Sequence, residues 1–469
     1  MLPAEAGACK TLGMRSWLIG VAAVGLLAAL VPIAHRRAHA AVPESPAAAA
    51  SSPRPEAIAA AAPAELAVPL TQIALQTPPQ ASVLPPLPEA PVSLAGLDLV
   101  HIGLGDDGPT AMTASHRAAH LTIDPALQRT ALGILSAQHL PEASVVMIDP
   151  ATGHVLVYAS HVERGPARDL AVEATAPAAS VFKIITATAL VDDAGLGPDT
   201  RQCYGGGEQR ILASDLVDDA ARDRWCVTLG GAMGRSVNAV FARLAQRHLT
   251  PDQLAATAHS YGFEQPLPFD VAVEPSSLRV PTEPLAFART AAGFWNTTLS
   301  PLHAAWISTT LARGGDAIRP TIIREAASAA QADAGAAGPT PHGMHRVVVA
   351  STAQAITSMM EHTVAEGTSF KAFHDGRGTP FLPGITVAGK TGTLTDDKAH
   401  RFYTWFTGFA PSHPMPGVRQ VAIAALVVND PTWRVKANVV AREMLQAYFA
   451  EQKVPGVSRP PVSSPHEAP

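Results

Sequence analysis

A chain of 469 residues has room for two or three domains, yet alanine and proline crowd both ends, so one large core accounts for what remains. Its 34 Lys and Arg against 39 Asp and Glu give a formal charge of -5, and no basic block outside the N-terminus marks a face for nucleic acid, which excludes a nucleic-acid partner. The three cysteines and the histidines form no cluster with zinc-site spacing, and His116 with His120 lacks both the HExxH glutamate and a third ligand, so neither a metal nor another cofactor is expected.

From Trp17 to Ala34 the run WLIGVAAVGLLAALVPIA is uncharged and apolar, follows Lys10 and Arg15, and is long enough to cross a bilayer as a helix. It predicts a cytoplasmic N-terminus over 1–16 and a single anchor over 17–34 in the cytoplasmic (inner) membrane. All that follows then lies in the periplasm or outside the cell. The run is long for a signal peptide, and His35, Arg36 and Arg37 separate it from the small-x-small string Ala38-His39-Ala40. Both features favour a retained anchor over cleavage at that string. Residues 35–95 form an Ala/Pro-rich linker, with twelve prolines between 41 and 91 and no helical or alternating period. As a flexible coil such a spacer spans roughly 40 Å, and as polyproline up to ~150 Å. A second Pro-rich stretch over 455–469 reads as a disordered tail, leaving 96–454 as the folded domain.

Within that domain, 144–148 (SVVMI) and 154–160 (HVLVYAS) are apolar runs joined by Asp149-Pro150-Ala151-Thr152-Gly153, which has the residues of a hairpin turn. Pro177 to Leu190 is apolar nearly all round and predicts a buried helix starting just after the proline. Cys203 and Cys226 are the pair beyond the anchor, and either a bridge in an oxidising space or two separate buried thiols fits them. The middle of the chain is mainly helical, with Ser300-Pro301 as an N-cap and first turn and Gly314-Gly315 as the stop. Apolar stretches at 385–394, 402–410 and 419–428 predict three strands, and 437–452 a helix. Strands at both chain ends with helices between them predict an α/β fold: a central antiparallel five-stranded sheet flanked by helices, with an all-helical lobe inserted.

Three short strings carry chemistry. Ser180 and Lys183 share one helix face at i, i+3, about 5–6 Å apart at Cβ, so the amine can approach the hydroxyl. Burial disfavours the ammonium and lets the lysine act as general base on a weak nucleophile. The pair also fits a serine and a snorkelling lysine on an ordinary helix. Lysine usage sharpens the case, because only seven lysines stand against 27 arginines. Arginine therefore fills most positions where any cation would serve, and a guanidinium cannot lose its proton. Ser236-Val237-Asn238 lies at a helix start or the loop before it, where Ser236 taken alone reads as an N-cap. Gly389-Lys390-Thr391-Gly392-Thr393 falls in a strand pattern, where Gly392 lets a ligand approach the backbone and Lys390, Thr391 and Thr393 offer a carboxylate charge and hydroxyls. Lys-Thr-Gly also occurs in phosphate loops, a reading set aside on the spacing back to Gly384.

Ser-x-x-Lys, Ser-x-Asn and Lys-Thr-Gly in this order resemble the signature of the penicillin-recognising serine enzymes. Over about residues 118–452 the chain is similar to the transpeptidase domain of penicillin-binding proteins. LTIDPALQ at 121–128, VVMIDPATGHVLVYAS at 145–160, SPLHAAWISTTLARGG at 300–315 and AGKTGTL followed by YTWFTGFAP resemble that family's landmarks. The resemblance implies the β-lactamase/transpeptidase-like fold and a D,D-transpeptidase that cross-links peptidoglycan stem peptides. It casts Ser180 as nucleophile, Lys183 as proton acceptor, Ser236 as proton relay and Asn238 as the group that holds the substrate amide and positions Lys183. Lys390 supports the relay and, with Thr391 and Thr393, receives the terminal carboxylate, while backbone N–H groups of Ser180 and Thr393 form the oxyanion hole. β-Lactams are expected as covalent inhibitors. No glycosyltransferase segment or pedestal domain is expected ahead of residue 118, and no feature identifies a protein partner.

The same motifs serve hydrolases, a D,D-carboxypeptidase or a β-lactamase. Against a lactamase stand the lack of a class A Glu-x-x-x-Asn segment and Asn238 where class D enzymes usually have valine. A non-catalytic β-lactam sensor or wall-binding protein would be expected to lose Lys183 or Ser236, and both are present.

Overall fold

The computed structural model describes residues 94–208, 210–324, 343–396, 398–430 and 432–460. The expected N-terminal end, the anchor, nearly all of the linker and residues 461–469 lie outside the described residues. Among the described residues no helix is long and apolar enough to cross a membrane.

Strands β1 (Glu142–Ile148) and β2 (Val155–Val162) form the expected hairpin. Its turn closes because the Asp149 carboxylate accepts from Ala151 N–H at 2.8 Å and Gly153 N–H donates to the Asp149 carbonyl at 2.8 Å. Gly153 has φ +78°, and a Cβ there would stand 2.5 Å from the Arg319 carbonyl oxygen, so only glycine fits. Strands β3 (Ala388–Asp396), β4 (Arg401–Ala410) and β5 (Val421–Asn429) complete one antiparallel sheet of order β3-β4-β5-β1-β2. The N-terminal hairpin joins the C-terminal strands where β5 pairs β1, with Ala424 opposite Val146.

The sheet divides two hydrophobic cores. Alternate side chains of β1 point to opposite faces, Val145 and Met147 into one core and Val146 and Ile148 into the other. On the first face lie helices α1 (Pro125–Ala137) and α7 (Ala437–Glu451), which contribute Leu127, Leu135, Val440 and Leu445. Against the second packs α5 (Pro301–Ala312), buried along nearly its whole length. The Ser300 hydroxyl accepts from His303 N–H at 3.2 Å, and Gly314 and Gly315 at φ +67° and +97° end the helix. These are the expected cap and stop.

Beyond α5 sits the helical lobe, with α2 (Lys183–Asp192), α3 (Leu229–Arg235), α4 (Asn238–His248) and α6 (Ala350–Ala365). The helix expected from Pro177 starts later. Ala176–Pro177 pairs as a two-residue strand with Thr298–Leu299, Ala179 takes a left-handed φ of 49°, and Ala179–Phe182 is a 3-10 turn that leads into α2. The missing N–H of Pro177 suits a short edge pairing as well as a first helical turn, which is why the sequence pattern ran too early. A ribbon of Arg201–Tyr204 and Trp225–Thr228 puts Cys203 opposite Cys226, and the two are joined by a disulfide.

Candidate active site

Ser180 sits on the 3-10 turn and Lys183 opens α2, which leaves the Lys183 Nζ 2.7 Å from the Ser180 Oγ. The lysine side chain is wholly buried. Its Nζ donates to the Asn238 Oδ1 at 2.6 Å and to the Ala292 carbonyl at 2.6 Å, and lies 5.7 Å above the Phe241 ring. Burial, and then the charge of Lys390, push its pKa well below the ordinary lysine value. A neutral amine has two N–H donors and one lone pair. With Asn238 and Ala292 engaging the donors, the lone pair is left for the Ser180 hydroxyl proton.

Ser236 ends α3 in a left-handed conformation of φ 58°, and Asn238 is the first residue of α4. The serine is therefore a helix C-cap and not the N-cap its residue type suggested. The kink between the two helices turns both side chains toward the same cleft. Asn238 also donates through Nδ2 to the Glu208 carbonyl at 2.5 Å, which fixes the amide with its oxygen toward Lys183.

Lys390, on β3, is the second buried lysine. Its Nζ donates to the Ser236 Oγ at 2.9 Å and to the Thr391 carbonyl at 2.7 Å, and burial lowers its pKa to about 7. Thr391 and Thr368 share a hydroxyl hydrogen bond of 2.6 Å, and Thr393 is exposed at the rim. Gly392 has a packing role beyond the expected room for a ligand. A Cβ there would lie 3.3 Å from the Ala178 carbonyl oxygen and 3.2 Å from the Trp405 Cβ, so glycine lets β3 close against the turn that carries Ser180. The Trp405 indole N–H donates to the Pro177 carbonyl at 2.9 Å and ties that turn to β4.

A cleft of about 730 Å³ opens over this arrangement, lined by Ser180, Ser236, Asn238, Thr391, Gly392 and Thr393, and the two lysines lie bonded beneath it. All eight residues singled out from the sequence thus meet at one place. Not foreseen were the acceptor carbonyls of Ala292 and Glu208, nor Gly293. The last has φ +85° and would place a Cβ 2.4 Å from the Ala179 carbonyl oxygen, against the turn that carries Ser180. Backbone groups leave no mark in residue type, and only the glycine offered a signal.

A phosphate loop is excluded by the fold and not by the spacing. Residues 384–391, GITVAGKT, do carry the complete GxxxxGKT spacing, so spacing does not exclude it. The fold does: Ala388–Asp396 is strand throughout, paired residue by residue with β4, where a phosphate loop needs a turn leading into a helix.

The penicillin binding protein transpeptidase domain matches residues 143–446 as a family, a span running from β1 into α7. The chain belongs to that family. Among curated proteins it is 27% identical over 318 residues to the peptidoglycan D,D-transpeptidase PbpA of Mycolicibacterium smegmatis, covering 61% of this chain and 61% of that protein. To stage V sporulation protein D of Bacillus subtilis it is 26% identical over 334 residues, 65% of this chain and 49% of that one. The chain thus spans about three-fifths or less of the length of these curated relatives. Among solved structures it resembles the transpeptidase domain of Burkholderia pseudomallei penicillin-binding protein 3, with TM-score 0.57, 22% identity, and coverage of 72% of this chain and 97% of that one. It also resembles the penicillin G acyl-enzyme complex of penicillin-binding protein A from M. tuberculosis, with TM-score 0.52, 22% identity, and coverage of 71% and 80%. These two likenesses establish the fold.

Proposed function

We propose that this chain is a serine D,D-transpeptidase of peptidoglycan, held in the cytoplasmic membrane by residues 17–34 with its catalytic domain on the outer side. The observation that carries this reading is the 2.7 Å approach of the Ser180 hydroxyl to a buried amine whose two N–H bonds are already committed. The Ser180 Oγ attacks the penultimate D-alanine carbonyl of a stem peptide while its proton passes to Lys183. Backbone N–H groups of Ser180 and Thr393 take up the developing oxyanion. Collapse expels terminal D-alanine, whose nitrogen receives a proton through Ser236, and leaves an ester on Ser180. The amine of a second stem peptide attacks that ester, forming the cross-link and returning the proton to the serine.

Lys390, poised near neutrality, is drawn to its ammonium form by the terminal carboxylate it meets beside Thr391 and Thr393. β-Lactams, which imitate the D-Ala-D-Ala end, stop at the ester. Intact-mass spectrometry is expected to find one added benzylpenicillin on the native chain and none on Ser180→Ala; labelling of that variant at the native rate would remove the proposal. Labelled stem pentapeptide offered with an acceptor amine is expected to give the conjugate. Free tetrapeptide alone would mean a carboxypeptidase, and no product at all a binder.

A further inference from the structure

Among the described residues that line the catalytic cleft, Glu208 is the only carboxylate, and neither the three motifs nor the acylation steps use its side chain. Its carbonyl is committed to the Asn238 Nδ2 at 2.5 Å, while its exposed carboxylate joins no ion pair among the described residues. Hydrogen bonds of 2.5, 2.6 and 2.7 Å run from that carbonyl through Asn238 and Lys183 to the Ser180 Oγ. The carbonyl therefore stands within about 10 Å of the Ser180 hydroxyl, a gap that the Glu208 side chain and an amine at the ester fill between them.

The loop that carries Glu208 is pinned on both sides. Before it, Cys203 is tied to Cys226 across the ribbon, and a Cβ at Gly205 would stand 2.1 Å from the Arg222 carbonyl oxygen. Gly207, at φ +81°, lies against α4, where a Cβ would come within 2.9 Å of the Ala239 Cβ. After it, the Arg289 guanidinium donates twice to the Ile211 carbonyl, at 2.7 and 3.0 Å. Fixing the backbone in advance removes most of the ordering that a charged side chain on a loose loop would need before it could act.

Resting on the transpeptidase reading, we propose that Glu208 is the acceptor-side residue of the cross-linking step: its carboxylate faces the incoming primary amine and stabilises the positive charge that forms on its nitrogen. An amine attacking an ester is cationic from the moment the N–C bond forms until a proton leaves, and a fixed opposite charge beside it lowers that barrier. The other charged groups at the cleft, Lys183, Lys390 and Lys436, are basic and cannot serve. The amine arrives neutral, its ammonium proton already lost to water. Its lone pair forms the N–C bond, and the carbonyl electrons pass to the oxygen held by the backbone N–H groups. One proton then moves from nitrogen through Lys183 to the Ser180 Oγ as the ester C–O bond breaks. Methanol, far less basic, gives up its proton as it attacks and offers the carboxylate no such charge.

The test gives the full chain a stem pentapeptide donor with either glycinamide or methanol as acceptor, and reads the ratio of conjugate to hydrolysed peptide. Both products leave the same acyl-enzyme, so the ratio does not depend on how fast Ser180 is acylated. Glu208→Gln is expected to lower the glycinamide ratio by about fivefold at low salt, the scale of one exposed charge contact, and the methanol ratio by much less. Glu208→Asp restores part of the loss. The native chain carries a second arm that needs no variant: raising salt toward ~1 M screens the exposed carboxylate, so its glycinamide ratio falls and its methanol ratio does not. A loop that only held Asn238 in place would move both ratios together and ignore salt. That result, or a glycinamide ratio unchanged in Glu208→Gln, overturns the role of Glu208. A native chain that labels with benzylpenicillin but yields only hydrolysed peptide with both acceptors overturns the transpeptidase reading, and the acceptor residue with it.

Discussion

Replacing Lys183 by Arg keeps a cation at the same place and removes its power to accept a proton. General-base catalysis contributes about 10²–10⁴ in rate, or roughly 3–5 kcal/mol of the acylation barrier. The native Nζ is confined by three neighbours at 2.6–2.7 Å in a wholly buried site, so a guanidinium also displaces Asn238 or the Ala292 carbonyl. Lys183→Met separates the two effects, because it removes charge and base together at similar length. It leaves buried acceptors without a donor, at about 1–3 kcal/mol of stability. Acylation by a fluorescent penicillin is the assay, with thermal unfolding as the control for folding, and both variants are expected to lose at least a hundredfold. The native pH profile supplies the second arm. Since burial, and then the charge of Lys390, push the Lys183 pKa well below the ordinary lysine value, acylation is lost as pH falls through that lowered value. Lys390 acts as an ammonium, so the rate also declines as pH rises through about 7, or somewhat higher once a carboxylate lies beside it. A folded Lys183→Arg within tenfold of native, or a native rate that climbs tenfold per unit from pH 7.5 to 9.5, would refute the reasoning.

Gly293→Ala is expected to destabilise by about 2–4 kcal/mol, since the added methyl meets the Ala179 carbonyl and the backbone is left-handed there; thermal unfolding and slowed penicillin labelling should move together. Cys203→Ser removes the link between positions 23 residues apart, worth about 3 kcal/mol in loop closure, and loosens the loop that presents the Glu208 carbonyl to Asn238; denaturant unfolding with and without reductant measures it. His303 is buried with its pKa lowered to about 4, so the unfolded chain binds the proton first as pH drops. Its contribution is complete above about pH 6.5 and is lost progressively down to about 4, by at most ~3 kcal/mol, and a His303→Gln variant should flatten that part of the stability profile.

The elements legible in the sequence were those whose cause is local. The hairpin turn, the Ser300 cap, the glycine stop and the i, i+3 relation of Ser180 to Lys183 each depend on a few neighbouring residues, and the structure keeps them all. The misreadings arose where one residue type serves two conformations. A serine between helical patterns can open a helix or end one, and only the left-handed φ of Ser236 distinguishes them. Pro177 fits a first turn or an edge strand. GITVAGKT is a different case: its spacing does satisfy a phosphate loop, and it is the strand over its last residues that excludes one. The cysteine pair stayed open until the ribbon set its members opposite each other.

Three cationic side chains of the described residues are wholly buried, and their partners sort them by chemistry. Arg243 meets carboxylates, Asp223 at 2.6 Å and Asp218 at 3.1 Å, so its permanent charge is compensated. Lys183 and Lys390 meet only hydroxyls, an amide oxygen and carbonyls. An unpaired buried charge carries a penalty of several kcal/mol, which a lysine escapes by releasing its proton and an arginine cannot. In a chain that uses arginine almost four times as often, the two wholly buried cations with neutral partners are both lysines. The absence of carboxylates around these two amines therefore suits cations that can take up and release a proton, which is what the acyl transfer proposed at Ser180 would require of them.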